Sequence, residues 1–267
     1  MDFVKILEHL EPVFKEAGKL ALKLQKSVGY HNKSNTGNEL ADIVTEADLT
    51  VQEFLLEAIS KTDLVNCCLL AEEDTLSIEK FNKQGKYYLS IDPIDGTATY
   101  AKGGKYFSTI ISLHDGKEVL YVFDYFPVFD YTHKVVNNNY STAGKMPEFL
   151  LPAEAKNTII YWSGNPKENI PKEIYDELKN KGIVFTKVTD FSPDVDATTM
   201  FAHERVAGVY HQKLIVYDSL VDSSIASAKG LKIYPEGFCN SVDLTDIRKG
   251  ETGLYYPGYY LALNKLS

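Results

Sequence analysis

The run Leu89-Ser90-Ile91-Asp92-Pro93-Ile94-Asp95-Gly96-Thr97 concentrates more chemistry than any other stretch of this chain. An apolar strand ends in two carboxylates three residues apart, with a proline between them and a glycine and a hydroxyl behind. Pro93 fixes φ and removes a backbone donor, so regular pairing stops there. Gly96 permits a tight turn. Asp92 and Asp95 then converge at the strand end, and two carboxylates with loop carbonyls between them suit a hard divalent cation such as Mg²⁺. Thr97 and the amides after Gly96 open a helix, and a helix N-terminus suits phosphate. The plainer alternative is an Asx-type turn in which both aspartates only cap backbone amides.

Two further acidic clusters bear on that choice. Ala71-Glu72-Glu73-Asp74 follows directly on a predicted strand, and Asp42-Ile43-Val44-Thr45-Glu46-Ala47-Asp48 opens a predicted helix. Either alone reads as a solvated charge run. In this order and spacing the three resemble the inositol monophosphatase family of Mg²⁺-dependent, lithium-sensitive phosphatases. That family carries Asp-hydrophobic-Val-Thr-x-x-Asp, then Gly-Glu-Glu, then Asp-Pro-Ile-Asp-Gly-Thr, and much later a Trp-Asp pair opening a helix. Here the second motif reads Ala71-Glu72-Glu73, the third is complete, and Tyr217-Asp218 stands at the fourth. The resemblance spans residues 1 to 235.

The resemblance implies a site residue by residue. Glu72, Asp92, the carbonyl of Ile94, Asp95 and Asp218 hold two or three Mg²⁺ ions, Asp92 and Asp218 serving a second ion shared with Asp95. Thr97, hydrogen-bonded to Asp48, sits beside the attacking water, and Glu72 or the Thr97–Asp48 pair orients or deprotonates it. The Gly96 and Thr97 amides hold the phosphate. The physics agrees: a phosphomonoester dianion repels hydroxide, and clustered cations offset that charge and stabilise attacking and leaving oxygens. No covalent intermediate is required. Haloacid-dehalogenase-type phosphatases use Asp-x-Asp, but here two residues, Pro93 and Ile94, separate the aspartates, and Glu72 has no part in that scheme.

The second half departs from the family pattern. Small residues usually follow the Trp-Asp pair, whereas Ser219-Leu220-Val221-Asp222 follows here. A Gly-Ser/Thr-Ala pocket segment is replaced by Asp194-Val195-Asp196-Ala197-Thr198. His211-Gln212-Lys213 stands where inositol enzymes place an acidic residue. Asp196, Ala197 and His211 are therefore the candidate substrate-pocket residues. His211 and Lys213 either reach a second anionic group or are strand-end surface residues. His114, His133 and His203 have no acidic partner at metal-ligand spacing. The expected function is Mg²⁺-dependent hydrolysis of a small-molecule phosphate ester, inositol monophosphatase-like. The alternatives are another ester on the same fold (3'-phosphoadenosine 5'-phosphate or fructose bisphosphate) or a catalytically silent metal- or phosphate-binding homologue.

The elements that must position these residues are legible in outline. Apolar residues from Phe3 to Leu24 recur at steps of three and four, predicting a helix from Asp2 to Ser27. The polar stretch His31–Asn38 predicts a loop. Thr45 is a good N-cap, with Asp48 three residues on, predicting a second helix. Strands are expected at Cys67–Leu70, Tyr87–Ile91, Phe107–Leu113, Val119–Phe126 and Thr132–Val136, with an Asp-Gly turn at Asp115-Gly116. The polar stretch Asn137–Leu151 is the expected boundary between an N-terminal α+β lobe, 1–147, and a C-terminal α/β lobe, 148–267. In the latter, strands at 158–162, 183–188, 206–210 and 231–234 alternate with helices at 167–180, 196–203 and 218–229, and the tyrosine-rich tail from Tyr255 packs a terminal strand. The family fold implied is a layered αβαβα sandwich of the inositol monophosphatase/fructose-1,6-bisphosphatase type, with a homodimer as the family's common assembly.

The chain has 267 residues, with 28 Lys plus Arg against 37 Asp plus Glu, hence a net charge of −9. With 44% hydrophobic and 24% charged residues it is a folded chain, not a disordered one. The acidic balance argues against nucleic acid as a partner. No apolar run reaches the length of a bilayer span, arguing against a membrane. The three cysteines include the adjacent pair Cys67-Cys68 and form no disulfide framework. A cytoplasmic protein is expected.

Overall fold

A computed structural model of the chain describes residues 2–25, 30–32, 43–149, 151, 154–191, 196–215, 220–235, 248–250 and 253–265. Asp2 caps the first helix by accepting from the Lys5 amide. That helix, α1 (Phe3–Leu24), buries Leu7, Phe14, Ala17 and Ala21. Gly18 lets it lie close to the sheet, because a Cβ there would come within 2.7 Å of the Tyr125 ring. The strands β1 (Tyr30–Asn32) and β2 (Ile43–Thr45) pair antiparallel, so His31 and Asn32, expected in a loop, lie in a strand. Helix α2 (Glu46–Ile59) follows directly.

The first sheet holds six strands in chain order: β3 (Cys68–Ala71), β4 (Tyr88–Asp95), β5 (Ser108–His114), β6 (Val119–Phe126), β7 (Tyr131–Val136) and β8 (Asn139–Ala143). β3 runs parallel to β4 and the remaining pairs are antiparallel. The first part of the polar stretch Asn137–Leu151 is thus a strand, β8, and not linker; β8 ends at Ala143, before the expected lobe boundary at 147. That strand sits at the sheet edge with four of its five residues exposed, which gives it the composition of a linker. Asn137 and Asn138 adopt positive φ in the two-residue turn between β7 and β8, a conformation asparagine tolerates well.

Between β4 and β5 lies α3 (Thr97–Ala101). After β8 come β9 (Thr158–Tyr161), α4 (Pro166–Asn169), α5 (Lys172–Asn180), β10 (Val184–Lys187) and α6 (Val188–Phe191). The chain continues with α7 (Ala197–Ala202), β11 (Gly208–Ile215), α8 (Leu220–Ala228), β12 (Lys232–Tyr234), β13 (Arg248–Gly250) and β14 (Gly253–Leu263). The helix expected at 167–180 breaks in two at Pro171. The second sheet has the order β10-β9-β11-β14-β12, with β13 also on β14; the tyrosine-rich tail is the long β14.

Four apolar cores stack these elements into layers. α1 and α2 cover one face of the first sheet through Phe14, Leu55, Ile91 and Phe123. Ile110 and Val122 on its other face meet Ala202, Val221 and Ile225 of α7 and α8. The second sheet covers the far side of α7 and α8 through Ile160, Val209 and Tyr260. α5 closes its outer face with Leu178 against Ile159 and Leu261. The result is the expected αβαβα sandwich. Both faces of the first sheet are covered, so β5 is buried throughout, and α7 and α8 lie between the sheets.

Candidate active site

Strand register builds the site. Ala71 pairs with Ile91 in the parallel β3–β4 ladder, and the Glu72 amide continues it by donating to the Ile91 carbonyl at 3.2 Å. Glu72 and Asp92 are thus abreast on neighbouring strands, whose backbones are about 4.8 Å apart. The β4–β5 ladder is then interrupted: Asp92 pairs with Ile110 and Asp95 with Ser108, so Pro93 and Ile94 stand opposite Thr109 alone. This one-residue bulge redirects the chain between the two aspartates. The bulge carbonyls are held in place, Pro93's by the Thr109 hydroxyl at 2.9 Å and Ile94's by the Thr97 hydroxyl at 3.0 Å. Gly96 turns with φ +83°, and a Cβ there would lie 3.1 Å from the Tyr106 carbonyl. Its carbonyl accepts from the Thr99 and Tyr100 amides, leaving the Thr97 and Ala98 amides outside the helical ladder.

One expected contact is corrected. The Thr97 hydroxyl donates to Ile94, so its single proton is not given to Asp48. Asp48 is fully buried, four residues before Gln52 on the same face of α2, and close enough to Tyr100 to help hold that phenol above its usual range. Burial is the larger cause of that rise.

A second group of acids lies where the first sheet faces α7 and α8. Asp92, Ile110, Asp124 and His133 form one transverse row across β4 to β7, side chains of directly opposed residues sharing a face. Asp124 is 2% exposed and its carboxyl is pushed well above the ordinary carboxylate range. Burial is the main cause, followed by the nearby Asp196; Ser108 offsets part of it, and Asp95 and Asp222 add to it. Asp196 caps α7 by accepting from the Thr199 amide, and burial, with Asp222 adding to it, raises it to about 6 against that bond. Ala197 is the first residue of α7 and is buried. His211, far from being a strand-end surface residue, is 8% exposed. Its Nε2 is 2.9 Å from Asp222 Oδ2, and its ring stacks on Trp162 at 4.2 Å. The structure thus brings Asp196, Ala197 and His211 into one neighbourhood with Asp95 through Asp124 and Asp222.

Asp124, Asp222 and Trp162 were not expected at the site. The signal for Asp124 was a lone carboxylate inside the apolar run Val119–Phe126, since an unpaired charge is rarely buried without a purpose. Asp218, with Tyr217, Asp194, Val195 and Asp42, lies outside the described residues.

The donor set of Glu72, Asp92, the Ile94 carbonyl and Asp95 is all oxygen and suits Mg²⁺. The acids gathered around Asp95 raise one another's proton affinity, which marks negative charge that a cation would offset. Among the described residues, no three His, Cys, Asp or Glu side chains are drawn together tightly enough to hold an ion by themselves. No helix among the described residues is long and apolar enough to cross a membrane.

No curated protein matches the sequence. Solved structures resemble it over nearly the whole chain. The extragenic suppressor protein suhB from Bartonella henselae is 15% identical with a TM-score of 0.65, covering 98% of this chain and 94% of its own. An IMPase/NADP phosphatase complexed with Mg²⁺ and phosphate is 16% identical, TM-score 0.65, covering 98% and 91%. The Thermotoga maritima IMPase is 16% identical, TM-score 0.63, covering 97% and 92%. At such identities the likeness is one of fold. Residues 4–159, more than half of the chain and including Glu72, Asp92, Asp95 and Thr97, match the inositol monophosphatase family, and the chain belongs to that family.

Proposed function

We propose that the protein is a phosphoric monoester hydrolase that uses Mg²⁺ to cleave a small-molecule phosphate ester, inositol monophosphate being the first substrate to try. The observation that carries this reading is the strand register: it sets Glu72 abreast of Asp92, and a bulge and the Gly96 turn then lead through Asp95 into α3. Membership of a phosphatase family supports it, as does a solved neighbour of this fold that holds D-inositol-1-phosphate.

In this reading Glu72, Asp92, the Ile94 carbonyl, Asp95 and Asp218 hold the metal. When bound, Mg²⁺ would offset the phosphate's charge and lower the pKa of water. The Gly96 and Thr97 amides orient the phosphate oxygens. Glu72 takes or directs the proton of the attacking water. The Thr97 hydroxyl, by donating to Ile94, fixes the direction of that carbonyl. Asp196, Ala197 and His211, with Asp222 and Trp162 behind the imidazole, form the wall that receives the alcohol. The N-terminal lobe supplies the metal motifs and the C-terminal lobe supplies Asp218 and this wall. Lithium inhibition, a cytoplasmic location and a homodimer belong to the same proposal.

A panel of phosphate esters tests it: inositol 1-phosphate, 3'-phosphoadenosine 5'-phosphate, NADP and fructose 1,6-bisphosphate, each with Mg²⁺ and with excess EDTA. Phosphate release from at least one ester, abolished by EDTA, is expected. Full turnover in EDTA would overturn the metal reading, and Mg²⁺ binding without release from any ester would favour a silent homologue.

A further inference from the structure

Gln52 lies on α2, outside every motif that marks the site, and it is fully buried. Three hydrogen bonds hold its side-chain amide. Nε2 donates to the Glu73 carbonyl at 2.6 Å and to the Thr75 hydroxyl at 3.1 Å, while Oε1 accepts from the Glu73 amide at 2.9 Å. It therefore grips both the N–H and the C=O of Glu73 as a neighbouring β-strand would. The next residue on the helix extends the grip, since Glu53 accepts from the Ser77 amide at 3.1 Å and from its hydroxyl at 2.6 Å. Segment 73–77 leaves a strand end, where a chain would otherwise be free, yet two consecutive helical residues staple it to α2.

The residue just before this clamp is Glu72. Its own amide is fixed on the other side by the Ile91 carbonyl, one residue before Asp92. Glu72 is thus held between β4 and Gln52, and the direction of its Cα–Cβ bond relative to Asp92 is set by both. We infer that Gln52 is a positioning residue: its amide clamp on Glu73 holds the Glu72 carboxylate in register with Asp92 for cation binding. The inference rests on the reading of Glu72 as a metal ligand. α2 then serves as a rigid strut beneath the site.

Partners that orient ligands typically change metal affinity by ten- to a hundredfold when removed. The test is calorimetric titration of the full chain with Mg²⁺ alone, without substrate, at a temperature well below unfolding. Gln52→Met keeps volume and helix propensity and removes all three hydrogen bonds. Its Mg²⁺ affinity should fall at least tenfold, while KM measured at saturating Mg²⁺ stays within twofold. Thr75→Ala spares the grip on Glu73 and should bind Mg²⁺ within twofold of the parent. Should Gln52→Met not fold, Gln52→Asn stays polar and neutral but is one methylene too short to reach both the N–H and the C=O of Glu73. Its Mg²⁺ affinity should then fall at least tenfold as well. A folded Gln52→Met, or in its place a folded Gln52→Asn, that binds Mg²⁺ within twofold of the parent overturns the inference, whatever its melting temperature. Glu72→Gln separates this from failure of the underlying reading. If Glu72→Gln weakens Mg²⁺ and Gln52→Met does not, the clamp alone is refuted. If Glu72→Gln binds Mg²⁺ normally, Glu72 is no ligand, and both readings fall.

Discussion

His114 ends β5 with 3% of its surface exposed, its ring stacked on Tyr88 at 5.4 Å. Its Nε2 has no hydrogen-bond partner among the described groups. Burial pushes the imidazole down to about 4, with Asp115 pulling weakly the other way. The folded state therefore keeps this ring neutral over a range in which the unfolded chain, titrating near 6.5, takes up a proton. Stability from this group is complete above pH 6.5 and falls as the pH drops towards 4, by ~1.4 kcal/mol per pH unit. From pH 6.5 to 4.5 the loss is about 2 kcal/mol, and the whole effect is about 3 kcal/mol. His114→Phe keeps a ring on Tyr88 and removes the titration. Urea unfolding of the metal-free protein at pH 8.0, 6.5, 5.5 and 4.5 should show a difference between variant and parent that is flat from pH 8.0 to 6.5. Below that the difference should grow in the variant's favour by about 2 kcal/mol at pH 4.5, or about 4–8 °C in melting temperature. Poorer packing of the larger ring adds only a pH-independent offset. Stability curves that run parallel across the whole range would show that His114 is not held neutral by the fold.

Asp196→Asn keeps a good N-cap on α7 and removes a carboxyl raised from 3.8 to about 6. The parent is penalised progressively from pH 3.8 to 6 and by a constant amount above, so the variant should be more stable by about 3 kcal/mol at pH 8 and lose that gain below pH 4, read by denaturant melts. Gly96→Ala places a Cβ at φ +83° and 3.1 Å from the Tyr106 carbonyl; it should cost about 1–2 kcal/mol and weaken inorganic phosphate inhibition, measured by melting and by inhibition kinetics. Tyr100→Phe removes the buried bond from its hydroxyl to the Ala21 carbonyl at 2.7 Å, and thermal unfolding should report a loss of about 1–1.5 kcal/mol with Mg²⁺ affinity unchanged.

The parts of the site that sequence reveals are those built locally. Asp92 to Thr97 encodes its own strand end, turn and helix start, because Pro93 and Gly96 restrict the backbone whatever surrounds them. Glu72 is legible for the same reason, as an acid at the exit of a short apolar strand. Asp124 shows only as a lone carboxylate in an apolar run, and its place at the site does not, because β6 is covered on both faces and the run does not say which residues face α7 and α8. The strand β8 is hidden because an exposed edge strand has a linker's composition. Gln52 gives no signal at all, since two of its three hydrogen bonds are to the backbone of Glu73, and main-chain atoms leave no trace in the sequence. Thr97 shows the opposite failure: the motif names the residue, but its hydroxyl's partner is the carbonyl three residues back.

Glu72, Asp92, the Ile94 carbonyl, Asp95 and Asp218 are proposed to hold Mg²⁺ for hydrolysis of a phosphate ester. The most direct test is inorganic phosphate release from inositol 1-phosphate at saturating Mg²⁺ by the parent and by Asp95→Asn, with Mg²⁺ binding to each measured alongside. Release by the parent is expected, and in Asp95→Asn a loss of at least a hundredfold together with weakened Mg²⁺ binding. An Asp95→Asn protein that releases phosphate at the parent's rate would contradict the proposal.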